Sequence, residues 1–145
     1  PVSFAEGWAH YCEQMMVETD FAAGKPRLRL TQLLEALVRN CRYMCSIRMH
    51  TQGMTVDEAT RFFMDNAYMG EHPARMEAMR GTFDPGYLSY TLGKLMILKL
   101  REDYQREQGS AYSLKEFHYQ LLSYGAPPVS LPRRMMLREP GALVI

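Results

Sequence analysis

Two short stretches carry most of the side chains that could do chemistry in this 145-residue chain. The first is Glu6-Gly7-Trp8-Ala9-His10-Tyr11-Cys12-Glu13. At about 100° per residue, Glu6, His10, Glu13 and Val17 fall on one helical stripe, and Phe4, Trp8, Tyr11 and Met15 on the opposite one. The apolar stripe is expected to pack on the rest of the domain. The other presents a carboxylate, an imidazole and a second carboxylate together, which suits a metal or, equally, an exposed Glu–His pair that adds a little helix stability. The second stretch is Asp84 to Lys94. Asp84 is placed to cap and Pro85 to open a helix, with Tyr87, Tyr90 and Lys94 at i, i+3 and i+7 on one face. Two phenols and an ammonium so placed can donate to a developing oxyanion or hold a substrate carboxylate. Tyrosines with a snorkelling lysine at the edge of a helical core give the same pattern.

Neither stretch makes a catalytic site alone. A catalytic zinc takes three protein ligands and an open position, and a helical H-E-x-x-H is the usual source of the first two. The four histidines are His10, His50, His72 and His118, and no two share a helix face. Cys12, Cys41 and Cys45 are an odd number without C-x-x-C, and Cys41 and Cys45 sit one turn apart on an apolar face. Reduced, buried thiols are expected.

The run Phe4-Ala5-Glu6-Gly7-Trp8-Ala9-His10-Tyr11 resembles the F-x-E-G-W-A-x-Y segment of a bacterial family known as domain of unknown function 885, which looks like zinc peptidases of the gluzincin type. The resemblance continues through Leu37 to Thr55 (helix, then H-T-x-G-M-T), Arg80 to Leu95 (R-x-x-x-x-P-G-x-x-x-x-Y-x-L-G-K-L) and Glu116 to Leu137 (E-F-H, then P-P-x-x-L-x-R-R). It implies that Glu6 is the third zinc ligand, that His10 and Glu13 stand behind it, and that Tyr90 stabilises the tetrahedral intermediate. Arg80, Tyr87 and Lys94 are the implied substrate-binding residues. Many relatives have Gln where this chain has Tyr87, so that position departs from the pattern. The H-E-x-x-H helix is absent, and the chain opens at Pro1 without an initiator Met. It is therefore expected to be the C-terminal part of a larger protein, inactive alone and at best a weak zinc binder, with the N-terminal half and a peptide-like substrate as partners. The competing expectation is a free-standing helical module that binds another protein without catalysis.

A composition of 47% hydrophobic and 23% charged residues is ordinary for a soluble globular protein. A net charge of +1 gives no reason to expect nucleic acid, even with Arg133, Arg134 and Arg138 close together. No apolar run is long enough to span a bilayer.

Periodicity predicts an all-α fold: residues 1–145 as one domain of about five longer helices and one or two short ones in an irregular array. The expected helices are Ser3 to Thr19, closed by the Ala22-Ala23-Gly24-Lys25-Pro26 break, and Leu28 to Met49 with Leu30, Leu34, Leu37, Cys41, Met44 and Cys45 inward. His50-Thr51-Gln52-Gly53 ends the second, with His50 a helix-end residue, and a Thr55-to-Glu58 capping box opens a third to about Met69. Short helices follow at Pro73 to Met79 and Leu131 to Leu137. Between them come the Pro85 helix, ended by Gly109, and one from Ser113 to Ser123 burying Phe117, Leu121 and Leu122. Gly93 inside a helix suggests a second backbone against it. Glu102, Asp103, Arg106 and Glu107 read as a solvated face with a Glu102–Arg106 pair, and His118 as exposed. An apolar face without its partner should self-associate, so a homodimer or larger assembly is expected.

Overall fold

The computed structural model describes residues 1–21 and 23–141. Among them are seven α-helices and no strand, as the periodicity predicts. Of the expected break before the second helix, Ala22 lies outside the described residues, as do 142–145.

Helix α1 (Val2–Glu18) buries Phe4, Gly7 and Tyr11, and ends at Thr19, whose hydroxyl donates back to the Met15 carbonyl at 3.1 Å. It buries His10 as well, so the expected division into an apolar and a water-facing stripe does not hold. The reason is tertiary: α1 packs along most of its length on α5 (Ser89–Gln108) and also meets α2 (Pro26–Thr51), which covers part of the polar stripe.

The α1–α5 crossing is closest at Gly7 and Gly93. A Cβ on Gly93 would collide with the Ser3 carbonyl oxygen and the Gly7 Cα, and one on Gly7 would strike the Gly93 backbone. The helical Gly93 thus gives up intrinsic propensity so that two backbones can touch.

Helix α2 starts with Pro26 in its first turn, where a missing N–H costs nothing. Cys41, Cys45 and Ser46 are buried, whereas Leu30 and Leu34, expected inward, are exposed together with Leu28 and Leu33. Only the C-terminal half of α2 is covered by α3 (Val56–Ala67) and α4 (Glu71–Gly81). Thr55 and Glu58 form the reciprocal capping box. Helix α3 stops at Tyr68, which takes a left-handed conformation at φ 56°. Helix α4 is longer than expected because it begins before Pro73 and runs to Gly81.

A 3-10 turn, Pro85–Leu88, leads into α5. Asp84 makes no capping bond and instead accepts from Arg80 Nε and Nη2 at 3.3 and 3.1 Å. Helices α6 (Leu114–Ser123) and α7 (Ser130–Met136) close the other end of the molecule. Phe117 and Leu121 are buried as predicted, but Leu122 is exposed, being one residue past the covered face of a short helix.

Two residues read as solvated are not. Asp103 is buried under α7, accepting from Arg133 Nη1 at 2.7 Å and Lys99 Nζ at 3.0 Å and pairing with Arg106, which therefore does not pair with Glu102. His118 accepts from or donates to the Tyr11 hydroxyl at 2.8 Å and stacks edge-on to Trp8 and Tyr11. Both depend on α6 or α7 reaching back over α1 and α5, which helical spacing cannot reveal.

Candidate functional site

Four of the residues singled out in the sequence line one groove. Glu6 and Val2 come from the first turns of α1, Arg80 from the end of α4, and Asp84, Gly86, Tyr87, Ser89 and Tyr90 from the turn into α5. The groove has a volume of about 210 Å³. Its position follows from local folding. Gly7 and Gly93 bring α1 and α5 together next to Glu6. Ser46 Oγ donates to the Pro85 carbonyl at 2.7 Å, and His50 Nε2 bonds the Gly81 carbonyl at 2.8 Å, so α2 fixes both walls from behind. His50 is thus a helix-end residue, as its position suggests.

Arg80 turns its guanidinium to Asp84 at 3.1 Å, and among the described residues the Glu6 carboxylate has no ion-pair partner. Partial desolvation works against the Arg80 charge, but the Asp84 carboxylate and the Tyr90 phenol outweigh it and raise its pKa. The Arg80 guanidinium also lies over the Tyr87 ring, 5.6 Å from its centroid. Tyr87 is therefore a support: its ring is buried, and its hydroxyl donates to the Glu77 carbonyl at 3.2 Å. Burial pushes that phenol well above its usual pKa, so it stays protonated. Gly81 makes room for it, since a Cβ there would lie 2.8 Å from the Tyr87 hydroxyl.

Tyr90 is held by a residue the sequence reading passed over. Arg42 stands 5.6 Å from the centre of the Tyr90 ring and is fixed by a two-pronged pair with Glu77, at 2.7 and 2.6 Å. The available signal was the pair Arg39 and Arg42, set off the apolar stripe of α2 at i, i+3 spacing.

Lys94, His10 and Glu13 lie apart from this groove. The expected single face of Tyr87, Tyr90 and Lys94 does not form, because Tyr87 belongs to the 3-10 turn while Lys94 is buried against α1 and α2. His10 Nδ1 is 3.7 Å from Glu13 Oε2, and Glu13 Oε1 accepts from Arg39 Nη2 at 2.8 Å. Desolvation, reinforced by the charges of Lys94 and Arg39, lowers the His10 pKa from 6.5 to about 3, so the ring is neutral at physiological pH.

The three cysteines are free thiols, and burial raises Cys41 and Cys45 to about 11 and about 12. Neither is a thiolate nucleophile at neutral pH. No helix among the described residues is long and apolar enough to cross a membrane.

Two solved structures share this architecture. A candidate lipoprotein of unknown function from Shewanella oneidensis is 33% identical with a TM-score of 0.89, and the match covers 94% of this chain and 25% of that one. A candidate lipoprotein from Colwellia psychrerythraea is 32% identical with a TM-score of 0.86, covering 92% and 23%. The chain thus spans about a quarter of the length of these solved relatives. No curated protein matches it. The profile of the bacterial proteins of unknown function DUF885 matches residues 2–136, and the chain belongs to that family.

Proposed function

We propose that this chain forms one wall of the active site of a zinc-dependent peptidase, as the C-terminal part of a longer protein. The observation that carries the reading is the Glu6 carboxylate, without an ion-pair partner among the described residues, in a groove shared with the Tyr90 phenol and the Arg80 guanidinium. A carboxylate beside a phenol hydrogen-bond donor suits a metal ligand facing an oxyanion stabiliser. The fit is partial. Among the described residues no group of three His, Cys, Asp or Glu side chains could hold a metal ion, so Glu6 would be one ligand and the others would come from elsewhere. Zinc, when bound, supplies Lewis-acid activation of water and of the peptide carbonyl. Tyr90 would donate its hydroxyl proton in a hydrogen bond to the carbonyl oxygen as charge builds there. Arg42 behind the ring fixes its direction, and Arg80 would hold polar groups of the substrate at the groove mouth.

The test is the reading frame upstream of the Pro1 codon. An in-frame H-E-x-x-H, in a protein that binds zinc stoichiometrically and loses it in E6Q, supports the proposal. A frame without that motif, or a longer protein whose zinc content is indifferent to E6Q, overturns it.

A second reading has its own observation. Met16, Val17, Phe21 and Leu28 line an apolar groove of about 270 Å³ between α1 and α2. Such a surface suits a helical module that binds another protein, or a second copy of itself. Light scattering of the purified chain at high concentration tests self-association, and a monomer there removes the homodimer.

A further inference from the structure

Helix α4 lines the groove with Arg80, and a second of its residues, Glu77, supports the groove from behind. The Glu77 carboxylate takes both prongs of Arg42, Nε at 2.7 Å and Nη2 at 2.6 Å. Arg42 in turn lies against two rings, its guanidinium 5.6 Å from the centre of Tyr90 and 5.8 Å from that of Tyr87. The Glu77 main-chain carbonyl accepts from the Tyr87 hydroxyl at 3.2 Å. One residue outside the groove is thus tied to both of its tyrosines, to one through its side chain and to the other through its backbone.

The two ties differ in what they fix. Tyr87 is 2% exposed, and a Cβ on Gly81 would meet its hydroxyl at 2.8 Å, so close packing holds this ring whatever the charge of Glu77. Tyr90 is only half-buried. Its backbone is pinned on both sides, because Ser46 Oγ donates to the Pro85 carbonyl and Thr91 Oγ1 to Asn40 Oδ1 at 3.1 Å. What is left free is the direction of the ring, and two cations stand beside it. Arg80 is 41% exposed and already engaged by Asp84, whereas Arg42 is 16% exposed and gripped by a carboxylate that is itself 18% exposed. A fork-on-fork pair sets the plane of a guanidinium, and a guanidinium with a set plane gives a ring a fixed surface to lie on. Glu77 also secures the charge, raising the Arg42 pKa against the desolvation that opposes it.

We infer that Glu77 is a positioning residue for Tyr90: its carboxylate orients Arg42, and Arg42 orients the phenol that shares the groove with Glu6. The orientation stands on these contacts alone; its bearing on an oxyanion rests on the reading of Tyr90 as the stabilising donor. Such a donor works only when its hydroxyl points to where charge will form, and a displacement of about 1 Å can cost on the order of a hundred-fold in rate. Glu77 does not line the groove, so its effect passes through Tyr90.

The test compares the 145-residue chain with E77Q, both isotope-labelled for NMR. Nuclear Overhauser contacts between the Arg42 side chain and the Tyr90 ring are expected in the parent. E77Q keeps the size of the side chain but offers Arg42 one acceptor oxygen instead of two. It should abolish those contacts and shift the Tyr90 ring resonances, while Tyr87 keeps its contacts to Gly81 and the Ala74 and Ala78 methyls stay in place. A contribution to stability alone would move all of these together. Tyr90 still in contact with Arg42 in E77Q, or Tyr87 and the alanines moving as far as Tyr90, would overturn the inference. R42K keeps the charge and loses the fork, so it should release Tyr90 as well; an unmoved ring there overturns the inference, and R42K reads the same grip should E77Q not fold. In the longer protein, E77Q should lower kcat about ten-fold or more with KM little changed, and should have no further effect in Y90F. An equal loss in the Y90F background would show Glu77 acting by another route. Failure of the zinc reading removes the kinetic effect and leaves the NMR result standing, so the two failures are distinct.

Discussion

The two hydrophobic clusters of this molecule are built on opposite plans. One joins α1, α5, α6 and α7 through large side chains, among them Phe4, Tyr11, Ile97, Leu100, Tyr104, Phe117 and Leu121. The other joins α2, α3 and α4 mainly through Cys41, Cys45, Ala59, Ala67, Ala74 and Ala78, with Phe63 its one large fully buried residue. Large side chains hold helices apart and tolerate buried polar links such as Tyr11–His118; small ones let helices approach and leave no slack. The groove with Glu6, Arg80 and Tyr90 lies where the two plans meet, with α1 and α5 from one and the end of α4 from the other. Its walls therefore belong to separately stabilised units, an arrangement that holds polar side chains in position without requiring either cluster to accommodate them.

If this contrast is right, the large-residue cluster should be most sensitive to deletion and the small-residue cluster to insertion. F117A, at a fully buried ring, should cost about 3–5 kcal/mol in urea unfolding. A78L should cost roughly 1–3 kcal/mol by overpacking the α3–α4 contact. An A78L protein as stable as the parent would mean that the alanine seam has room, and the contrast would fail.

G93A sharpens the comparison from the one place where the large-residue cluster also needs close approach. The added methyl meets the Ser3 and Gly7 backbone, so a net loss of about 2–3 kcal/mol is expected despite about 1 kcal/mol of improved helix propensity. A gain in Tm would refute the backbone contact.

Y11F is expected to cost about 1 kcal/mol, because it removes the hydroxyl that bonds His118. Unchanged stability would show that the Tyr11–His118 bond contributes nothing net.

The smallest effect at neutral pH concerns His10. Its folded pKa lies below the unfolded value, so between 6.5 and about 3 the unfolded chain binds the extra proton. Stability should be at its plateau above that window and fall as pH drops through it. Glu13, Lys94 and Arg39 surround the ring, and the two cations reinforce the trend. H10Q should flatten this acid limb; a limb of undiminished slope would locate the titration elsewhere.

Much of this could be read from the chain alone. Ser3 to Thr19, the Thr55 capping box and the Gly109 stop are all set by residues within a few positions of one another, whereas the glycine at 93 announced a close backbone without saying that it is the Ser3–Gly7 turn of α1. The candidate site was legible as residue types near Glu6 and Tyr90, but not as an arrangement. Tyr87 was expected on one helical face with Tyr90 and Lys94, and the 3-10 turn at Pro85–Leu88 breaks that face, leaving Tyr87 in the groove lining with its ring buried and its hydroxyl on the Glu77 carbonyl. His118 and Asp103 looked exposed because each is polar and off its own helix's apolar stripe, while their partners stand on helices far away in sequence.

What the sequence determined by itself is local: helix positions and their caps, together with the family. The helix signals follow from interactions that span one or two turns, and they survive without knowing what packs where. Tertiary structure alone decided which polar groups lost water. Arg80 keeps the Asp84 carboxylate, Lys94 is buried within reach of the Glu13 charge, and Glu6 lines a groove with no ion-pair partner among the described residues, all because of how α1, α2, α4 and α5 meet. Burial and charge compensation are properties of that meeting, and no spacing along a single helix encodes them.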